Sequence, residues 1–157
     1  MSKSIEELRT QINNMDTLYN AFINNDISHF VTEDEFEDHM NSFEDSIVVI
    51  YRVQMPKILI LKKMDYIAYR QMYNNWLDTN KDSLIEKYVF PTLLKWCDDL
   101  ELIVEDLRER YEYAISHYFD DKYYEDKNSF RNYIEIAEDV MKSAKSLLAK
   151  LDYHFMI

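Results

Sequence analysis

Apolar residues recur along most of the chain at steps of three and four, the spacing that places side chains on one face of an α-helix. In the first segment the apolar positions are Ile5, Leu8, Ile12, Met15, Tyr19 and Phe22. In the last segment they are Phe130, Ile134, Ala137, Met141, Ala144, Leu148, Leu151 and Phe155. The pattern predicts an all-α fold, a compact bundle of about five helices in a single acidic domain spanning residues 1–157. The predicted helices lie near residues 4–24, 33–54, 56–78, 83–120 and 128–154.

Three predicted helix starts carry the sequence of a capping box, in which a hydroxyl accepts from a first-turn N–H and a Glu three residues later bonds back to the cap. The pairs are Ser4 with Glu7, Thr32 with Glu35, and Ser83 with Glu86. Glycine, the usual residue after a helix end, is absent from the chain. Asn is the next residue able to take the left-handed conformation there, so Asn near the predicted boundaries is expected to replace it. Such Asn residues stand at 24–25, 74–75, 80 and 128.

The segment SIVVIYRVQMPKILILKKM, residues 46–64, allows two predictions. Its β-branched residues are typical of strands and would form a hairpin near residues 47–61. The helical apolar step that begins at Phe36 nevertheless continues into this segment, and Pro56 suits the first turn of a following helix because its missing N–H costs nothing there. We therefore expect helices on both sides of Pro56, with the hairpin as the alternative. Pro91 is expected to kink or split the fourth helix.

The stretch DTNKDSLIEKYV begins like a calcium-binding loop, with Asp78, Asn80 and Asp82 at alternate positions. Calcium loops need Gly at the sixth position for a sharp turn and a bidentate Glu at the twelfth. Here those positions hold Ser83 and Val89. We therefore predict a polar turn before a helix and no metal site.

Composition excludes several classes of enzyme. A phosphate-binding P-loop, a dinucleotide-binding fingerprint and a nucleophile elbow each need glycine at fixed positions, and this chain contains none. Cys97 is the only cysteine, so no disulfide can form within the sequence. The chain also shows no secretory signal pattern and no apolar run of about 18 residues. These features predict a reduced, cytoplasmic setting without a cofactor.

The net charge of −12 is distributed unevenly along the chain. Residues 1–45 sum to −9, residues 46–95 to +4, residues 96–126 to −8 and residues 127–157 to +1. On the predicted fourth helix five carboxylates follow one another at steps of three or four, which would set neighbours about 5–6 Å apart in one line. They are Asp98, Glu101, Glu105, Glu109 and Glu112.

A line of carboxylates has two interpretations. It is either a solvated helix face of an acidic protein, or a surface that imitates a nucleic-acid backbone and occupies a basic groove of another protein. Direct binding of nucleic acid is disfavoured by the charge. We expect a non-enzymatic, protein-binding module, monomeric or homodimeric, that blocks a nucleic-acid-binding protein through the five carboxylates. Small acidic anti-defence proteins of viruses and mobile elements, such as anti-CRISPR proteins, provide the analogy.

Two alternatives remain open. The segment RYEYAISH places Arg110 and His117 seven residues apart. This spacing resembles the Arg-x4–6-His element of HEPN ribonucleases, an all-α family, and the resemblance implies RNA cleavage by this pair across a dimer. Tyr111 replaces the polar residue that commonly follows the Arg in that family. The other alternative is a helical structural or assembly module in which the basic centre of the chain meets its acidic ends.

Overall fold

The protein is mostly α-helical, as a computed structural model that describes residues 3–117 and 127–156 shows. The all-α prediction is confirmed, apart from one small antiparallel hairpin. The elements are α1 (Ile5–Ile23), α2 (Glu33–Asn41), β1 (Ile47–Ile50), β2 (Val53–Pro56), α3 (Lys57–Met64), α4 (Tyr66–Thr79), α5 (Lys81–Leu84), a π-helical turn (Ile85–Val89), α6 (Phe90–Ser116) and α7 (Lys127–Met156). They form two compact units, one of Met1–Ala21 with Leu93–Ile157 and the other of Phe22–Thr92.

The first unit is a three-helix bundle of α1, α6 and α7. Helix α7 runs parallel to α1, because Arg9 pairs with Asp139 and Asp16 with Lys150. Each helix contributes one buried apolar stripe, as the 3.6-residue period predicts. The buried residues are Leu8, Ile12, Met15 and Tyr19 from α1, Leu93, Leu100, Ile103, Val104, Leu107 and Ala114 from α6, and Ala137, Val140, Ala144, Leu147 and Leu151 from α7.

The second unit is organised around Phe36 of α2, which is almost fully buried. Its ring makes edge contacts with the rings of Tyr69 and Tyr73 on α4, each at 5.6 Å between centroids. The Tyr73 hydroxyl donates to the carbonyl of Val31 at 2.6 Å, so the buried polar group of this ring is satisfied. These contacts hold α2 against α4, and the hairpin lies in the chain segment between them.

The helix caps follow the sequence signals at two of the three predicted starts. Thr32 and Glu35 form a complete capping box, and the hydroxyl of Ser4 accepts from the N–H of Glu7 at 3.1 Å. The third prediction is wrong, because the helix begins at Lys81 without a side-chain cap and Ser83 lies inside it. Asn25 takes φ = 69° after α1, as expected for an Asn that replaces glycine at a helix end. The expectation is wrong at the other positions, because residues 74–75 lie inside α4, Asn128 lies inside α7 and Asn80 has φ = −108°.

The middle of the chain corrects the helices predicted at 33–54 and 56–78. Helix α2 ends at Asn41, and residues 47–56 form the hairpin that was the alternative. β-branched side chains favour the pleated pairing of β1 with β2, and this preference outweighs the helical spacing of the apolar residues. The second predicted helix is interrupted at Asp65, whose carboxylate accepts from the N–H of Ala68 and caps α4.

The helix predicted at 83–120 is present from Lys81, and the π-helical turn within it ends at Val89, two residues before Pro91. In that turn the N–H of Phe90 bonds to the carbonyl of Ile85, five residues back. A proline ring would collide with the carbonyl four residues before it in a regular α-helix, and the wider turn gives it room. Helix α6 continues to Ser116, and residues 118–120 of the prediction lie outside the described residues.

The predicted first and last helices agree with α1 and α7 to within two residues at each end. Within the described ranges, no helix combines the length and the apolar character needed to cross a membrane.

Candidate functional site

All five predicted site residues are exposed on α6. We call Asp98, Glu101, Glu105, Glu109 and Glu112 the acidic row. Because α6 is continuous from Phe90 to Ser116, their spacing places them within about 80° of one another around the helix axis. The buried stripe that includes Leu100 and Leu107 lies on the opposite side of α6. The acidic row therefore spans about 21 Å of exposed helix surface.

Basic side chains offset the acidic row only in part within the described parts of the chain, through Arg108, which lies three residues from Glu105 and four from Glu112. None of the ion pairs found there includes any of its five carboxylates. Arg110 is on the same helix, but its guanidinium forms an ion pair with Asp106 at 2.9 Å, and its Nε–H donates to the same carboxylate at 3.2 Å. Like charges at helical spacing repel by a few tenths of a kcal/mol per pair. The row therefore costs the isolated fold some stability.

Two exposed leucines accompany the acidic row, and the sequence analysis missed them. Leu94 and Leu102 have 51% and 65% of their surface exposed. At helical spacing they lie on either side of Asp98, so this part of α6 presents carboxylate and apolar surface together. The sequence did contain a signal for these leucines, because their positions on the helix wheel lie outside the buried stripe and so cannot face the core.

The hairpin of β1 and β2 is the second conspicuous surface. Val48 pairs with Met55 and Ile50 pairs with Val53, so one face of the hairpin is wholly apolar. Three of these four side chains are more than a third exposed, and Tyr51 at the tip is 97% exposed. Apolar surface of this kind on a hairpin is typical of a contact site.

An open cavity of about 330 Å³ lies in the second unit beside the base of the hairpin. Its apolar walls include Met40, Phe43, Ile58, Leu61 and Met72. The cavity lies against the hairpin base because its lining also includes Ser46 and Lys57, which are joined by a backbone hydrogen bond of 2.8 Å. The apolar surface of this unit therefore extends beyond the hairpin itself.

A network of charged and phenolic groups joins α2 to α3 and α4 in the second unit. Lys62 donates to Glu37 at 2.9 Å and pairs with Glu33 at 3.1 Å, and Arg70 donates to Glu33 at 2.7 Å. The buried Tyr69 donates its hydroxyl to Glu37 at 2.7 Å. Burial and this hydrogen bond raise the pKa of Tyr69 far above its usual range, which keeps the phenol protonated. Each of these groups has a partner within the unit, so the network stabilises the fold.

The ribonuclease candidates Arg110 and His117 are each engaged locally. Arg110 is bound to Asp106, one turn earlier on α6. The ring of His117 stacks on Tyr113 with 3.8 Å between ring centroids, and its Nδ1 lies 2.9 Å from the carbonyl oxygen of Tyr113. Seven residues of helix separate Arg110 and His117 by about 10 Å along the axis. Within one chain Arg110 therefore pairs with Asp106, and His117 stacks on Tyr113.

Cys97 does not have the surroundings of a nucleophile. Burial raises the pKa of its thiol, and the carboxylates of Asp152, Asp98 and Glu101 raise it further. Both effects disfavour the thiolate, the reactive form of cysteine.

The segment that begins like a calcium loop is helical on both sides of Asn80, since Asp78 lies in α4 and Asp82 in α5. Across residues 3–117 and 127–156, no group of three or more His, Cys, Asp or Glu side chains is arranged to hold a metal ion. Carboxylates gathered around Ca²⁺ need a loop that folds back on itself, which a helix does not supply.

Comparisons with protein-family models, with curated proteins and with solved structures find no match for this chain. Function must therefore be inferred from the chemistry of its own surfaces. Of these, the acidic row is the most regular in charge and the hairpin is the richest in exposed apolar side chains.

Proposed function

We propose that the protein is a non-enzymatic binding module that inhibits a nucleic-acid-binding protein by placing the acidic row in its basic groove. The observation that carries this proposal is the exposure of all five carboxylates along one side of α6, unpaired with any cation of the described residues. A partner groove lined with Lys and Arg would supply the charges that the fold itself does not.

The spacing of the acidic row suits such a groove. Five charges over about 21 Å of helix correspond to about one charge per 5 Å. A single nucleic-acid strand carries one charge per about 3.4 Å along the axis, so the row has roughly two thirds of its linear charge density. Lysine side chains are long and flexible enough to follow a difference of this size.

The inferred setting follows from the same surface. A chain with a net charge of −12 is repelled by phosphates, so the partner is a protein and not DNA or RNA itself. We infer that the protein acts in the cytoplasm, of the host cell if it is encoded by a virus. The anti-defence role, as in anti-CRISPR proteins, rests on the analogy with small acidic inhibitors.

The test compares the protein with a charge-reversed variant in a pull-down from host lysate, with partners identified by mass spectrometry. The variant carries Glu101→Lys, Glu105→Lys and Glu109→Lys. A matched control reverses three exposed acids elsewhere, Asp38→Lys, Glu44→Lys and Asp78→Lys. Circular dichroism verifies that both variants keep their helicity.

We expect the wild type and the control to capture a nucleic-acid-binding protein that excess DNA or RNA displaces, and the α6 variant to capture none. Equal capture by both variants would refute the role of the acidic row. Capture that ignores competitor would leave a binding module without mimicry. RNA cleavage abolished by His117→Ala would favour the ribonuclease alternative instead.

A further inference from the structure

The hairpin is largely exposed among the described residues of its own unit. Both of its faces carry exposed apolar residues, with Ile47 and Val49 on one face and Ile50, Val53 and Met55 on the other. Helix α3 follows β2 directly and contacts it, and the cavity beside the hairpin base is lined by Met40 of α2 and Met72 of α4 as well. A two-stranded sheet in water is marginal on its own and gains stability when a face is buried. The hairpin is therefore a surface that would gain stability if another surface covered it.

The tip of the hairpin supports the same interpretation. Tyr51 and Arg52 both adopt positive φ, at 49° and 70°. This matches a two-residue turn of the type that normally uses Asn and Gly, because other residues are strained in the left-handed region. A strained turn that holds out a 97% exposed tyrosine is poorly explained by the stability of the free chain.

Charge indicates what would cover the hairpin. Residues 46–64 contain four basic residues and no acidic residue. Lys62 is used within the unit, and the other three, Arg52, Lys57 and Lys63, are exposed and take no part in the ion pairs of the described residues. The complementary surface is therefore apolar and acidic. The chain itself presents one on α6, where Leu94 and Leu102 accompany the acidic row.

We propose that the hairpin of one copy docks on the acidic, leucine-bearing face of α6 of a second copy. The dimensions agree, since Leu94 and Leu102 are about 12 Å apart along the helix axis. The four-residue strands of the hairpin are about 13 Å long. The apolar face of Val48, Ile50, Val53 and Met55 contacts the leucines, while Arg52 and Lys57 at its two ends approach the carboxylates.

This contact goes beyond the proposed function and does not depend on it. Both use the same face of α6, so self-association and capture of another protein would compete. A change in the hairpin leaves the acidic row intact, so it separates the two proposals. A hairpin variant that loses self-association but still captures the partner would support the hairpin contact. A variant that loses only partner capture would bear on the inhibitor role.

The first measurement is sedimentation velocity of the whole chain at low salt and at about 1 M salt, where the Debye length falls to about 3 Å. We expect association at low salt that weakens as salt rises. The variant Ile50→Thr with Val53→Thr keeps residues that suit strands and removes apolar contact, so it should weaken association about tenfold or more. The control, Ile23→Thr with Ile67→Thr, changes two exposed isoleucines outside the hairpin and should associate like the wild type. Association that is equal in both variants would overturn the proposal.

The second measurement identifies the two surfaces by disulfide formation. Two chains are mixed, both with Cys97→Ser, one carrying Val53→Cys and the other Leu102→Cys. The proposal predicts a mixed disulfide between positions 53 and 102. A disulfide only between two copies of position 53 would show that hairpins pair with each other and overturn the assignment. A protein that stays monomeric in all conditions would also overturn the proposal. Flotation with vesicles of anionic lipid, if it depends on Val53, would overturn it as well.

Discussion

Replacing Tyr69 by Phe tests whether the network between α2 and α4 holds the second unit together. The ring of Tyr69 is fully buried, and its hydroxyl donates to the Glu37 carboxylate at 2.7 Å. Phe fills the same space, so the substitution removes the hydrogen bond and little else. A hydrogen bond to a charged group contributes about 1.5–3 kcal/mol. Glu37 keeps its bond from Lys62, so we expect a loss of about 1.5–2 kcal/mol, near the lower end of that range.

The matched control is Tyr66→Phe on the same helix. The Tyr66 hydroxyl also donates to a carboxylate, that of Glu33, but the distance is 3.3 Å and the residue is half exposed. Water can replace this bond, so the loss should stay below about 0.5 kcal/mol. Comparing the two substitutions separates the effect of a buried bond from the general effect of removing a phenol.

The assay is urea unfolding followed by the fluorescence of Trp76, whose ring contacts Phe36 at the centre of the unit. A Trp96→Phe background removes the other tryptophan, so the signal reports on the second unit alone. Equal free energies of unfolding for the Tyr69→Phe and Tyr66→Phe variants would refute the reasoning. So would an unchanged effect of Tyr69→Phe when Glu37 is replaced by Gln, because the acceptor charge would then contribute nothing.

Three further predictions concern the same unit. Thr32→Ala removes the complete capping box of α2 and should cost about 1 kcal/mol in urea unfolding, whereas Thr92→Ala, which removes a hydroxyl bonded to the carbonyl of Tyr88 one turn earlier, should cost clearly less. Burial opposes ionisation of Glu33, but hydrogen bonds from Lys62 and Arg70 outweigh it and lower its pKa from 4.5. Its stabilising contribution should therefore be complete above pH 4.5 and lost as pH falls through the lower folded-state pKa, and Glu33→Gln should flatten the measured acid dependence. Tyr51→Asn with Arg52→Gly should stabilise the chain by about 1 kcal/mol by relieving two positive-φ positions, and a lower urea midpoint would contradict the strained-turn interpretation.

The sequence was most informative where one physical effect dominated. Helices α1 and α7 could be located because a single apolar stripe runs through each of them without interruption. The exposure of the acidic row follows from the same periodicity, since a residue such as Glu105 lies half a turn from the buried Leu107. The fold class and the exposure of these five carboxylates were therefore readable from spacing alone, whereas their role as a site stays a prediction.

The middle of the chain could not be read in this way because two effects competed. Phe36, Met40 and Phe43 keep a helical step, but only Phe36 is buried, and Phe43 is half exposed beside the cavity. The helical spacing of these apolar residues thus reflects a partly exposed surface and not a buried core. The hairpin turn was hidden for a related reason, because Tyr51 and Arg52 carry none of the Asn or Gly that usually mark such a turn. The interruption at Asp65 depends on a side-chain cap. The sequence alone does not distinguish an Asp that caps a new helix from one that lies inside a continuous helix.

The acidic row and the hairpin share a property that bears on both proposals. Each is a local arrangement that makes the isolated chain less stable, the row through repulsion between like charges and the hairpin through exposed apolar surface and a strained turn. Other polar side chains bond to one another and stabilise the fold, as Tyr69 and Glu37 do. Departures from local consistency are concentrated at functional sites in natural proteins. Because the two surfaces are opposite in charge and both carry exposed apolar residues, contact would relieve the cost of both, with another copy or with a partner that offers the missing half of each.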